Sequence, residues 1–363
     1  MSSTLRGSNQ RLTQTHDVAL LDLDGVVYIG ADAVPGAPAA LAQARRDGVS
    51  LAFVTNNAAR PPSVVAQHLS DLGIEASPEE VITSAQAAAR YLAEHLSPGA
   101  TVLVLGTTGL HEALAERGLV ATSKAGESVV AVVQGYSPEM NWSLLAEGAV
   151  AINAGALWVA TNVDPTVPSP RGPLPGNGSL VAALRHATGA EPVVTGKPDP
   201  AMHRETLIRT GATSPIVVGD RLDTDIEGAV AVGCPSLLVL SGVTGARELL
   251  AAKPGLRPTF LAADVSGLLV SHPQPEVTTQ GATCGTWAVI ATDDGWELAR
   301  TNAEAGHGDQ SRGNGSSPSP DLDALRALCA AHWEHGLSEA ARIRVTAADD
   351  RADVVLAELG LND

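Results

Sequence analysis

Three short apolar runs carry the strongest pattern in this chain, at residues 18–21, 51–54 and 215–218. Each is about strand length and apolar throughout, with neither helical spacing nor the alternation of a half-exposed strand. Such runs predict strands buried on both faces. Similar runs at 102–105, 129–134 and 158–160 predict further strands, with helical patterns at 110–116 and 144–152. Strands alternating with helices predict α/β architecture built on doubly wound parallel sheets. A last group follows: strands 286–292 and 296–301, helix 322–335, strand 342–346 and helix 352–359. Its helix sets Leu322, Leu325 and Leu328 on one face, enough to bury a small core.

The residues that end these runs are polar and chemically capable. The first run delivers Asp22 and Asp24, with Gly25 freeing the turn; the second delivers Thr55, Asn56 and Asn57; the third ends in Gly219-Asp220, followed by Asp223 and Asp225. In open parallel sheets, ligands bind just beyond the carboxyl ends of the strands. Between the second and third runs, Thr195-Gly196-Lys197-Pro198-Asp199-Pro200 opens a helical pattern through Met202, Thr206 and Leu207. Proline suits a first helical turn, so Lys197 is placed where an anion is welcome.

Two carboxylates one residue apart at a strand exit are costly unless a cation lies between them. Mg²⁺ is the natural partner, because a hard divalent ion takes oxygen ligands. One carboxylate can then attack phosphorus and the other handle a proton. D-x-D also occurs in Mn²⁺-dependent glycosyltransferases and in acidic turns, but a glycosyltransferase has no use for Lys197 or the Gly219-Asp220 block. The lysine stands out because the chain holds three lysines against 20 arginines. A lysine between glycine and proline suggests a compact, point-like cation.

Spacing sets the domain plan. Thr55 and Lys197 are 142 residues apart, far too many for one connection, so a domain is inserted between them. The expected division is a disordered tail at 1–14, a core at 15–82 plus 191–270, an α/β cap at 83–190 and a C-terminal α/β module at 271–363. A cap of this kind closes over a site and excludes water and bulky substrates. The seam before the last module is Ser271-His-Pro-Gln-Pro-Glu276.

In this order, the four blocks resemble the haloacid dehalogenase superfamily of phosphatases. VGDRLDTDI at 218–226 and TGKPDP at 195–200 are similar to its NagD-like branch. The resemblance covers about 17–270 and implies a Rossmann-like core. It implies Asp22 as nucleophile and Mg²⁺ ligand, and Asp24 as general acid/base that gives Mg²⁺ its backbone carbonyl. Thr55, Asn56, Asn57 and Lys197 would hold the phosphate, Asp220 would complete the metal ligands, and Asp225 would orient the site from behind. In the cap, Thr161-Asn162-Val-Asp164 and Pro175-Gly-Asn-Gly-Ser179 resemble the branch's motifs; as residues they read as a strand-end turn and a loop with a helix N-cap at Ser179. The branch commonly has an aspartate after the cap's Val-x-Gly strand, where this chain has Tyr136-Ser137.

Composition narrows the partners. A formal net charge of −17 excludes a nucleic-acid-binding surface and repels a phosphate at long range, so binding must be local. Three cysteines, far apart and without C-x-x-C spacing, argue against disulfides or zinc and for a reducing compartment. Residues 1–14 lack a signal-peptide core, and no run of about 18 residues is apolar enough to span a membrane, so a cytoplasmic protein is expected. The expected partner is a small phosphorylated metabolite, with the cap available for homo-oligomer contacts. An acidic, alanine-rich, lysine-poor chain with this extension resembles actinobacterial glycerol-3-phosphate phosphatases. Phosphoglycolate, pyridoxal phosphate, sugar phosphates and nucleoside monophosphates fit the same four motifs. Gln310-Ser-Arg-Gly313-Asn-Gly315 matches the pyrophosphate loop of GNAT-type acetyltransferases, but Ser316–Pro320 separates it from the helix. A packing role for the module is therefore preferred to acyl-CoA binding.

Overall fold

The computed structural model describes residues 5–167, 171–301, 321–335 and 343–362. Its first large sheet has six parallel strands, with Val18–Leu21 between Pro215–Gly219 and Ser50–Thr55. Ser236–Val239 and Phe260–Ala262 extend it on one side, and Val81–Thr83 closes the other. Counted along the chain the order is 3-2-1-4-5-6, so the winding reverses between the first and fourth strands. The register pairs Val18 with Pro215 and Leu21 with Val218, which brings the exits at Asp22 and Asp220 to one level beside that crevice.

The uninterrupted apolar runs follow from helices covering both faces. Val18 and Leu20 join one core with Ala52, Val54 and Val217. Ala19 and Leu21 join the other with Leu51, Phe53, Ile216 and Val218.

Helix Ser84–His95 leads out of this sheet, its N-terminus capped by the Thr83 hydroxyl accepting from Gln86 N. The second sheet is also parallel, in the order Val193–Val194, Leu157–Ala160, Val129–Gln134, Thr101–Leu105, Val120–Thr122. Because Val193–Val194 still pairs inside this sheet, the chain returns to the core after Val194 rather than at 191. Helix Ser84–His95 is absent from the sequence reading, and helix Asn177–Thr188 enters it only as an N-cap at Ser179. The first buries Ala85, Ala88 and Ala89, side chains too small to mark a strong apolar stripe.

The third sheet runs Glu276–Thr278, Gly281–Cys284, Trp287–Thr292, Gly295–Arg300, Val345–Ala347, antiparallel until a parallel last pair. Its first two strands are additions to the expected ββαβα order; Glu276–Thr278 is exposed throughout, so it carries no apolar signal. Helix Leu322–His335 buries Leu325, Leu328 and Trp333 in a cluster shared with Leu222, Ile226, Leu249 and Leu261 of the first domain. The seam is not a free linker, since His272 is buried beside the Phe260 ring, centroids 5.3 Å apart.

The expected disordered tail is corrected over residues 5–14. Leu5 is buried in that shared cluster, Ser8 and His272 exchange main-chain hydrogen bonds of 2.8 Å, and Leu12 opens a buried turn, Leu12–Gln14. Two isolated leucines in a polar stretch, each serving a different core, give no periodic pattern.

Candidate active site

The site lies at the crevice where the winding reverses. Asp22 leaves the first strand with its N–H donating to Val218 O at 2.9 Å. Its carboxylate meets the Lys197 ammonium at 2.6 Å. Lys197 is 4 % exposed and also donates to Asp225 Oδ1 at 2.7 Å and to Val54 O at 3.2 Å. Burial alone would lower the ammonium's pKa; Asp22 and Asp225 outweigh it and hold the group charged above its ordinary range. Asp22 is pushed well up by burial and by Asp225 and Asp220, against the pull of Lys197.

Asp220 faces Asp22 across the crevice. Val243 N–H donates to its Oδ2 at 2.7 Å, while Oδ1 is buried and has no partner among the described residues. A Cβ on Gly242 or Gly25 would fall 2.0 or 2.5 Å from Asp220 Oδ2, so both glycines are needed for this approach; Gly25 also holds φ +84°. Burial and the nearby Asp225 raise the Asp220 carboxyl to about 6. Asp22, Asp220 and Asp225 each offer an oxygen within 4.8 Å of the others. Clustered buried carboxylates, one of them with an oxygen unpartnered among the described residues, are the donor set of a hard cation, and Mg²⁺ fits them.

Asp225 is held from behind by a single π-helical turn, Leu222–Ile226, with Arg221 N–H donating to its Oδ2 at 3.2 Å. Asp24 keeps solvent contact at the mouth of the site, and its partial burial raises the carboxyl against the pull of Lys197, Arg60 and His68. A carboxyl raised in this way is suited to carry a proton. Thr55 ends its strand 3 % exposed, its hydroxyl accepting from Asn57 N at 3.1 Å.

The two asparagines make contacts within the protein. Asn57 Oδ1 closes a local turn by accepting from Ala59 N at 2.8 Å. The Asn56 amide is engaged with the main chain of Lys197 and with Asp164. Both side-chain oxygens thus accept from main-chain N–H groups, of Ala59 and of Lys197. The cap loops reach further than a local turn: Asn162 Nδ2 donates to Asn56 O at 2.7 Å. Helix Asn177–Thr188 starts with Gly176 at its N-cap, and the Ser179 hydroxyl donates instead to Pro165 O at 2.7 Å. Sequence reasoning also missed Gly242 and Val243, although a glycine just beyond the strand Ser236–Val239 was a usable signal. The Gln310–Gly315 loop lies outside the described residues.

Fold and site together define a class: a doubly wound α/β enzyme core with a lysine and clustered carboxylates at its switch point, under an inserted cap. The chain belongs to the haloacid dehalogenase-like hydrolases, whose family pattern matches residues 19–120, with a related hydrolase pattern at 194–268. Residues 284–361 match a GCN5-related N-acetyltransferase like domain. The chain is 44% identical over 355 residues to the D-glycerol 3-phosphate phosphatase of Mycobacterium tuberculosis, covering 95% of this chain and 94% of that one. It is 37% identical over 249 residues to the acid sugar phosphatase of Staphylococcus aureus, covering 68% of this chain and 94% of that one. Among solved structures, glycerol phosphate phosphatase from M. tuberculosis in complex with magnesium superposes with a TM-score of 0.84 at 42% identity, covering 97% and 99% of the two chains. A p-nitrophenyl phosphatase from Archaeoglobus fulgidus gives 0.65 at 30% identity, covering 70% of this chain and 98% of that one.

Proposed function

We propose that this chain is a Mg²⁺-dependent phosphomonoesterase that hydrolyses glycerol 3-phosphate through a phosphorylated Asp22. The observation that carries the reading is Lys197 held between Asp22 and Asp225, beside an Asp220 oxygen that has no partner among the described residues. Asp22, Asp220 and the main-chain carbonyl of Asp24 would hold Mg²⁺, which when bound screens the phosphoryl charge and favours in-line approach. The Lys197 ammonium binds phosphoryl oxygens, where charge spreads in the transition state, and the Thr55 hydroxyl donates to another. Asp22 attacks phosphorus. Asp24, protonated, gives its proton to the departing alkoxide and then takes one from the water that hydrolyses the aspartyl phosphate.

The substrate assignment follows the relative that covers the C-terminal module as well as the core, and it is a glycerol phosphate enzyme. The acid sugar phosphatase covers only 68% of this chain. We place the enzyme in the cytoplasm, acting on a small phosphorylated metabolite rather than on nucleic acid; among the described residues no helix is long and apolar enough to cross a membrane. The cap, about 83–194, closes over the bound phosphate, and the C-terminal module packs rather than binding acyl-CoA.

Three variants test the roles. Asp22→Asn should abolish phosphate release while the fold survives, because the amide is nearly isosteric. Asp24→Asn should lower turnover about 10²–10⁴-fold with little change in the Mg²⁺ requirement. Asp220→Asn should raise that requirement. Retained activity in Asp22→Asn would overturn the mechanism; one shared metal phenotype for Asp24→Asn and Asp220→Asn would overturn their separate roles.

A further inference from the structure

We propose that Asn56 is a positioning residue that couples Lys197 to the cap, so that the ammonium is set for the phosphoryl group only while loop 161–164 is seated. This deepens the phosphatase reading and rests on it. The Asn56 side-chain amide pairs with both main-chain groups of one residue: Oδ1 accepts from Lys197 N at 2.8 Å, and Nδ2 donates to Lys197 O at 3.1 Å. That fixes the peptide frame from which the lysine side chain reaches Asp22, Asp225 and Val54.

The same residue holds the cap. Asn56 Nδ2 is 3.3 Å from Asp164 Oδ2. Its main-chain oxygen accepts from Asn162 Nδ2 at 2.7 Å and from Ser84 Oγ at 2.6 Å, one on the cap loop and one on the outgoing linker. The loop is anchored in turn to helix Asn177–Thr188, through Asn177 Nδ2 to Asn162 O at 2.7 Å and Gly178 N to Asp164 O at 2.8 Å. Gly196 lets the strands of this junction meet, since a Cβ there would lie 2.1 Å from Thr161 O and 2.8 Å from Asn56 Oδ1. Every bond in this junction is polar and can be exchanged for water when the cap lifts. A shared hub therefore ties lysine placement to cap seating. A displacement of about 1 Å at a reacting group can cost about 10²-fold in rate.

The test uses the full-length chain with Mg²⁺ and glycerol 3-phosphate. Asn56→Ala should lower kcat about 10²-fold, with the half-saturating Mg²⁺ concentration within about threefold of wild type. Asn56→Asp keeps the acceptor for Lys197 N–H but sets a carboxylate against Asp164, and it should fall at least as far. Adding Asp164→Asn to Asn56→Asp should recover tenfold or more, whereas Asp164→Asn alone lowers activity; a role confined to folding would show no such rescue. Amide hydrogen exchange at 161–164 should quicken in Asn56→Ala, and this reads the coupling without turnover. Wild type inactive on every phosphomonoester, with exchange still faster in Asn56→Ala, would sink the phosphatase reading and leave the junction. An active wild type with Asn56→Ala within threefold of it, absence of rescue, or unchanged exchange would overturn the proposal.

Discussion

The core meets its two neighbours in opposite ways. Toward the C-terminal module the contact is a continuous apolar cluster, in which Leu222, Ile226, Leu249 and Leu261 pack with Leu325, Leu328 and Trp333. Its few polar groups are buried and satisfied across the seam, with Trp333 Nε1 donating to Leu250 O at 3.1 Å and Arg326 to Leu261 O. Toward the cap, the junction at the site is made of asparagines, a serine, an aspartate and glycines. Apolar area removed from water is lost in full when such a surface separates, whereas exchanged hydrogen bonds are largely replaced by water. One neighbour is therefore joined by a shared apolar core, and the other is joined at the site by polar contacts. Leu222 and Ile226 begin and end the turn that carries Asp225, so the fixed neighbour also braces the catalytic floor.

Removing the module is the harshest way to test this contrast. Truncation after Ser271 uncovers a broad apolar face, and the fragment should aggregate or lose its cooperative melt. A soluble fragment melting within a few degrees of the full chain would refute the shared core. At single-residue scale, Trp333→Ala should cost about 3–5 kcal/mol in denaturant unfolding, while the folded enzyme keeps its kcat. The site should add its own acid sensitivity to that of the seam histidines His272 and His332, which burial also lowers. His203, buried beneath Lys197 with Nδ1 unpartnered among the described residues, is lowered from 6.5 to about 4 by burial and by the lysine charge. Its folded pKa lies below the unfolded one, so the unfolded chain takes the proton first and stability falls as pH drops from 6.5 towards 4. The loss approaches about 3 kcal/mol and should be absent in His203→Gln. The smallest effect belongs to the cap junction: Gly196→Ala should lower kcat/KM about 10²-fold, near 2.7 kcal/mol, and shift the melt less than Trp333→Ala does. The reverse ranking of melt and turnover for those two variants would erase the distinction between the interfaces.

What could be read from sequence divides along the same line. Asp22, Thr55 and Asp220 end apolar runs, and the parallel sheet brings those ends together, so run and residue pointed to one place. Lys197 was legible because its Gly-Lys-Pro setting marks a helix mouth. The cap junction was not legible: Asn56 and Asp164 are 108 residues apart, and a hydrogen bond between two polar loops leaves no periodic trace. Thus nothing in the sequence announced the pairing of Asn56 with Asp164. Leu5 escaped for a related reason, since a distant core places it, whereas strand Glu276–Thr278 pairs with its neighbour Gly281–Cys284 but is exposed throughout and carries no apolar signal.

Phosphate release from a panel of phosphomonoesters by the full-length chain, with and without Mg²⁺, tests the central claim most directly. The account predicts turnover that requires Mg²⁺, is highest for glycerol 3-phosphate, and disappears in Asp22→Asn. Turnover that is indifferent to the metal, or undiminished in that variant, would contradict it.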